Sequence, residues 1–187
     1  MRAAVLLLSG LTLLGLVGCG GGDEPTRPRV QPVSAQARPV PGAPPPLAAL
    51  QRQAGQLLPG GAGAFAKRID GLAGYPVVVN KWASWCGPCA TELPVFNEVS
   101  RELGKDVAFV GVNSMDSEAA ARRFLARNPV NFPSYSDPDQ DVAKLFRGNA
   151  AFPTTAFYDR RGRFVIALQT FYSRPDALRR DVERYTR

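Results

Sequence analysis

Histidine is absent from the 187-residue chain. That removes the commonest general base and the commonest metal ligand, and it excludes Ser-His-Asp and Cys-His hydrolases. A c-type haem attachment motif is excluded for the same reason. Cysteine is scarce: the three residues at positions 19, 86 and 89 are too few for a disulfide-built scaffold. The formal net charge is +7, yet no run of five or more basic residues occurs, so the charge reads as a solvated surface and no nucleic-acid partner is expected. No apolar run reaches the ~20 residues that a membrane-crossing helix needs. What remains is an ordinary globular composition, 45% hydrophobic and 21% charged, without an internal repeat. The length fits one domain with extensions, because single domains cluster near ~100–150 residues.

The N-terminus is the first local exception. Met1-Arg2 gives a positive start, residues 3–17 are mainly apolar, and small Gly18 precedes Cys19, which is the layout of a secretory signal. Leu16-Val17-Gly18-Cys19 resembles the lipobox of bacterial lipoproteins, in which the signal is cut before the cysteine and the cysteine is acylated. The resemblance implies residues 1–18 as signal peptide, a lipidated Cys19, and an extracytoplasmic chain held to the cell membrane by its lipid. An ordinary cleaved signal with an incidental cysteine is the alternative. Residues 20–46 hold eight prolines and almost no large apolar side chain. Such a stretch cannot bury enough surface to offset the entropy of ordering, so 19–46 is expected to be a linker and 47–187 the domain.

Within the domain, apolar spacing predicts helices over residues 47–58 and 64–72, the second with Phe65, Ile69 and Leu72 inward. Val77-Val78-Val79 is a β-branched run of the kind buried on both faces of a sheet. A helix over 86–103, a strand over 107–112 and helices over 117–127 and 140–146 follow. Strands 154–158 and 164–168 flank Asp159-Arg160-Arg161-Gly162, a hairpin by its turn residues, and a last helix covers 174–185. Alternating units closed by a hairpin and a helix predict an α/β fold with a central mixed sheet covered on both faces.

With Cys19 assigned to the anchor, Cys86 and Cys89 are the one possible internal pair. A bridge over two intervening residues is a poor staple, because cross-link stabilisation grows with loop length. A reversible bond explains the pair better. Cys86 falls where a buried strand ends and a helix begins, and a helix N-terminus favours thiolate over thiol. Cys89, one turn on, is placed to resolve whatever Cys86 captures and is expected to be the more buried. Gly87 and Pro88 suit the first helical positions. A zinc site is the chemical competitor, but neither a second Cys pair nor a histidine completes it, so no metal and no cofactor are expected. A purely structural pair is the other alternative, and a peroxidase would use a lone cysteine rather than a C-x-x-C.

The run Val77-Val78-Val79-Asn80-Lys81-Trp82-Ala83-Ser84-Trp85-Cys86-Gly87-Pro88-Cys89, with Glu92-Leu93-Pro94 after it, resembles the TlpA/ResA-like branch of the thioredoxin superfamily. The resemblance extends from about residue 65 to the C-terminus. It implies the thioredoxin fold with a central insertion within 114–151, and a thiol-disulfide oxidoreductase acting on protein thiols and disulfides. It further implies a membrane electron donor of disulfide-reductase type and cytochrome c maturation as one pathway; a monomer is expected. Phe152-Pro153-Thr154-Thr155 looks like the family's cis-proline segment, which makes Phe152 and Pro153 substrate-binding candidates beside Trp85, Gly87 and Pro88. A strand-start proline is the bland alternative for Pro153. Asn80 stands where thioredoxin has a buried acid, and Glu92 matches an acid that affects the thiols in the ResA-like group; an exposed surface glutamate is its alternative. Trp82 is assigned to the core. Dithiol oxidase in protein folding, and a non-enzymatic metal-delivery or scaffold lipoprotein, are the competing functions.

Overall fold

The computed structural model describes residues 38–186. The signal-like segment, Cys19 and most of the expected linker lie outside the described residues. The chain enters the fold earlier than expected. Helix α1 (Pro45–Gln51) carries proline in its first turn, where a missing N–H costs nothing, and buries Leu47 and Leu50. Ahead of it, the Val40 amide donates to Gln51 Oε1 at 2.7 Å, and Gln51 Nε2 donates to the Gly104 carbonyl at 2.6 Å. The last residues of the expected linker are therefore built into the domain.

The helix expected over 47–58 ends early, at Gln51. Gly55 adopts φ 71° and its amide donates to the Phe132 carbonyl, so the chain turns. Leu57 and Leu58 become strand β1 (Leu57–Leu58), paired in parallel with Ser134 and Tyr135. Tertiary pairing overrides the apolar spacing here, because the Gly55 turn redirects the backbone before another helical turn can close.

Helix α2 (Gly61–Gly71) follows Gly60, whose φ of 106° only glycine adopts readily. Strands β2 (Val77–Trp82) and β3 (Ala108–Ser114) are parallel and buried throughout, with Val77 opposite Ala108 and Trp82 opposite Asn113. Between them runs α3 (Gly87–Glu102). The segment 114–151 supplies α4 (Glu118–Arg127), β4 (Ser134–Asp137) and α5 (Asp141–Leu145). Strands β5 (Thr154–Tyr158) and β6 (Phe164–Leu168) form the expected hairpin, and α6 (Pro175–Tyr185) closes the chain.

The sheet order is β1-β4-β3-β2-β5-β6, parallel from β1 to β2 and antiparallel from β2 onward. Apolar side chains of α3, α4 and α6 pack on one face, and those of α1, α2 and α5 on the other. Both faces are covered, as the alternation predicts.

Strand β4 has no apolar signature. It fits between β1 and β3 because Gly111 leaves room for Ser134: a Cβ at Gly111 would stand 2.1 Å from Ser134 Oγ. That hydroxyl accepts from Trp82 Nε1 at 3.0 Å, and the Trp82 ring stacks on Phe124 with centroids 5.0 Å apart. Trp82 thus sits in the core and satisfies its one polar atom there. Arg179 on α6 donates to Glu98 and Glu102 of α3 and ties the two helices together. Among the described residues, no helix is long and apolar enough to cross a membrane.

Candidate active site

Strand β2 is buried along its whole length and ends at Trp82. Ala83, Ser84 and Trp85 turn the chain, and Cys86 becomes the N-cap of α3 with extended backbone. Its sulfur accepts from the Cys89 amide at 3.2 Å, using a helix N–H that would otherwise lack a partner. Cys86 and Cys89 are joined in a disulfide. Cys86 is 5% exposed and Cys89 is fully buried, so an incoming group meets Cys86 first. Gly87 and Pro88 occupy the opening positions of the helix. Pro94 lies inside it, where the chain lacks the N–H that would bond to the Ala90 carbonyl.

The turn before Cys86 is held from the segment just after β3. Asp116 accepts from the Ser84 amide at 2.6 Å, Ser84 Oγ at 3.0 Å and Asn113 Nδ2 at 2.9 Å. Met115 next to it has φ 53°, in the left-handed region that non-glycine residues rarely adopt. Its carbonyl accepts from Trp85 Nε1 at 2.8 Å. The Trp85 side chain is thereby fixed although the residue is 58% exposed. Phe152 packs edge-on against it with ring centroids 4.9 Å apart. The Phe152–Pro153 peptide is cis, and β5 begins directly after it. Trp85 and Phe152, 67 positions apart in the chain, form one apolar surface beside Cys86.

Glu92 is fully buried, which overturns the surface alternative. Its carboxyl accepts from Asn80 Nδ2 at 2.7 Å and from the Tyr172 amide at 3.2 Å. Burial raises its pKa from 4.5 to about 7, and those two hydrogen bonds pull the other way without cancelling the rise. Among the described residues, Asn80 Oδ1 finds no hydrogen-bond partner. An amide offers donors on one side and an acceptor on the other. Rotation of the Asn80 amide would let Nδ2 serve the carboxylate and Oδ1 serve the neutral acid. Glu92 lies one helical turn after Cys89, on the element that presents both sulfurs.

Lys81, Met115, Asp116 and Tyr172 were not singled out by the motif. Lys81 carries the clearest signal, a charged residue inside an otherwise buried strand. The others become partners only when the fold brings together residues 30 to 80 positions apart, as Met115 with Trp85 and Tyr172 with Glu92. Among the described residues, no three Cys, Asp or Glu side chains gather as a metal-binding group.

Chemically, the arrangement offers a less deeply buried cysteine at a helix N-terminus, a fully buried second cysteine one turn on, and a titratable acid one turn beyond that. Comparisons with known proteins place the chain in a family. Residues 62–167, more than half of the chain, match the model of the AhpC/TSA family. The thiol-disulfide oxidoreductase ResA of Bacillus subtilis is 33% identical over 102 residues, 53% of this chain and 56% of the relative. The chain spans about half the length of the curated relatives it matches. Among solved structures, DsbF of MTB in mixed oxidized and reduced forms has 34% identity and a TM-score of 0.56, covering 62% of this chain and 84% of that one. The exposed lipoprotein thioredoxin Etrx1 of Streptococcus pneumoniae has 26% identity and a TM-score of 0.56, covering 62% and 89%. With its central sheet, its C-x-x-C pair at the head of α3 and this matched stretch, the chain belongs to the AhpC/TSA family of the thioredoxin superfamily.

Proposed function

We propose that this protein is an extracytoplasmic thiol-disulfide oxidoreductase that reduces disulfides in other proteins through the Cys86/Cys89 pair. The observation that carries the reading is the bond between the two cysteines at the start of α3, with the less deeply buried cysteine at the N-cap. Two bonded cysteines favour a dithiol cycle over a lone peroxidatic cysteine.

In the reduced protein, the Cys86 thiolate attacks one sulfur of a partner disulfide, and the other partner sulfur leaves as a thiolate. Cys89 then attacks Cys86 Sγ, and the partner leaves with both of its sulfurs reduced. This protein is left as the Cys86–Cys89 disulfide, the form seen here. Two electrons have moved to the partner, and an external dithiol donor must return them. Glu92, with a pKa of about 7, is suited to take the Cys89 proton as that thiol becomes the attacking species. Trp85, Phe152 and Pro153 form the surface on which the partner chain lies, with Gly87 and Pro88 at its edge.

We further propose that Cys19 is acylated and holds the domain at the membrane, with electrons supplied by a membrane disulfide reductase. Support comes from the Leu16-Val17-Gly18-Cys19 sequence and from the solved lipoprotein thioredoxin that the chain resembles. Globomycin treatment should cause the unprocessed precursor to accumulate, and unchanged processing would remove the anchor from the account. Cytochrome c maturation is one pathway such a reductase could serve.

Insulin reduction with Cys86→Ser as control tests the reading: turnover by the native chain and none by the variant is expected. The reduction potential sets the direction, since about −270 mV or lower supports a reductase and about −120 mV a dithiol oxidase. Cys89→Ser should accumulate mixed disulfides, and their absence would oppose the proposed order of attack.

A further inference from the structure

Lys81 sits inside β2 between Asn80 and Trp82, on a strand whose other members are valines, a core tryptophan and the partner of Glu92. Alternation along the strand sends its side chain to the sheet face opposite Asn80, toward α5. The residue is fully buried, and among the described residues its ammonium makes no salt bridge. Burying a charged amine is costly unless its donors are met. Here they are met: Nζ donates to the Gly148 carbonyl at 2.7 Å, the Ala151 carbonyl at 3.1 Å and Gln140 Oε1 at 3.3 Å. The Phe152 ring covers the cation, with its centroid 3.6 Å from Nζ.

Two of those acceptors lie in the segment between α5 and β5, and the third is the N-cap of α5. Lys81 is therefore the common anchor of the loop that delivers Phe152 and Pro153 to the sheet. Phe152 has two partners, the ammonium over its ring and the Trp85 ring packed edge-on against it. A side chain that only filled space would be apolar at this position, like Val77 and Val79 on the same face of the strand.

We propose that Lys81 is a positioning residue: by gripping Gly148, Ala151 and the Phe152 ring, it fixes one wall of the docking surface beside Cys86 and so sets affinity for the disulfide-bearing protein. This rests on the oxidoreductase reading of the same site. The sheet separates Lys81 from Glu92, so the effect falls on partner binding and leaves thiol chemistry unchanged. The charge persists near neutral pH, because burial lowers the pKa only to about 8 while the attraction of Asp137 opposes the fall.

The test uses the full chain with Lys81→Met, which keeps the length of the side chain and removes its three donors and its charge. Insulin reduction is followed at steady state with dithiothreitol as the electron donor, and reduction of the small disulfide DTNB in single turnovers of the pre-reduced chain. The KM for insulin should rise roughly ten-fold, the scale of one lost charge-assisted hydrogen bond expressed as an equilibrium constant. The kcat, the DTNB rate and the reduction potential of the cysteine pair should stay unchanged, while Trp85 emission shifts as its Phe152 contact loosens. Adding Lys81→Met to Phe152→Ala should raise KM by less than the two single effects combined, because both share the Phe152 contact. An unchanged insulin KM overturns the inference, as does a shift in potential or an equal loss with both disulfides. Should Lys81→Met fail to fold, Gln140→Ala removes one acceptor from the periphery, and an unchanged KM there also overturns it. If the native chain reduces neither disulfide, the oxidoreductase reading fails instead, and the emission of Trp85 in Lys81→Met still tests the grip.

Discussion

Glu92→Gln should change how stability depends on pH, and the size of the change follows from the burial of one carboxyl. In the folded protein Glu92 titrates at about 7, against 4.5 for an exposed glutamate. Below pH 4.5 the group is protonated in both folded and unfolded chains, so it gives stability no slope. As pH rises from 4.5 to about 7, the unfolded chain releases its proton while the folded chain keeps it. Folded protein then binds more protons, and stability falls with rising pH. The gap between 4.5 and about 7 converts to about 3 kcal/mol, which is fully lost once pH exceeds 7. Glutamine has no proton to lose, and the Asn80 amide can face it with either end. Urea unfolding of the oxidised full chain at several pH values between 4 and 8 measures both proteins. The native chain should lose about 3 kcal/mol relative to the variant across that interval. Parallel curves, or a native chain that gains on the variant as pH rises, would refute the account of Glu92 as a buried acid.

Other expectations follow from single contacts. Gly111→Ala forces a Cβ to within 2.1 Å of Ser134 Oγ, so overpacking should cost about 1–3 kcal/mol in thermal or urea unfolding; a change within about 0.5 kcal/mol, the range of an ordinary surface substitution, would mean that β4 is not held this closely. Asp116→Ala removes the acceptor of the Ser84 amide and hydroxyl, which should cost about 1–3 kcal/mol and free Trp85 to move, read as lower fluorescence anisotropy. Unaltered anisotropy would show that the Met115 carbonyl alone holds the indole. Phe65→Ala empties a core site where the ring meets Tyr135, Phe146 and Tyr158, and should cost about 3–5 kcal/mol without changing the reduction potential of the cysteine pair.

The elements that could be read from the sequence are those whose local pattern and tertiary role coincide. Val77-Val78-Val79 is β-branched and buried on both faces, and the Asp159–Gly162 turn joins strands that pair as its residues predict. Strands β1 and β4 escaped because each is specified by its neighbour. Leu57 and Leu58 continue an apolar spacing that resembles a helix, and Ser134 is useful only against Gly111 and Trp82. At the site, the cysteines, Trp85, Phe152 and Pro153 are local words in a motif. Glu92 was visible as a residue, but its burial was not, because the groups that enclose it come from β2 and from the segment 80 residues later. Lys81 was legible as an anomaly of charge, and its purpose needed the loop after α5 to be in place.

The central claim is that Cys86 is a ready nucleophile at the head of α3 and that Cys89 is shielded behind it. Alkylation of the reduced full chain with iodoacetamide, followed across pH and mapped by mass spectrometry, tests it most directly. Modification should occur first at Cys86, with a midpoint below the ~8.5 of a free thiol. A midpoint at or above that value, or equal labelling of Cys89, would contradict the account.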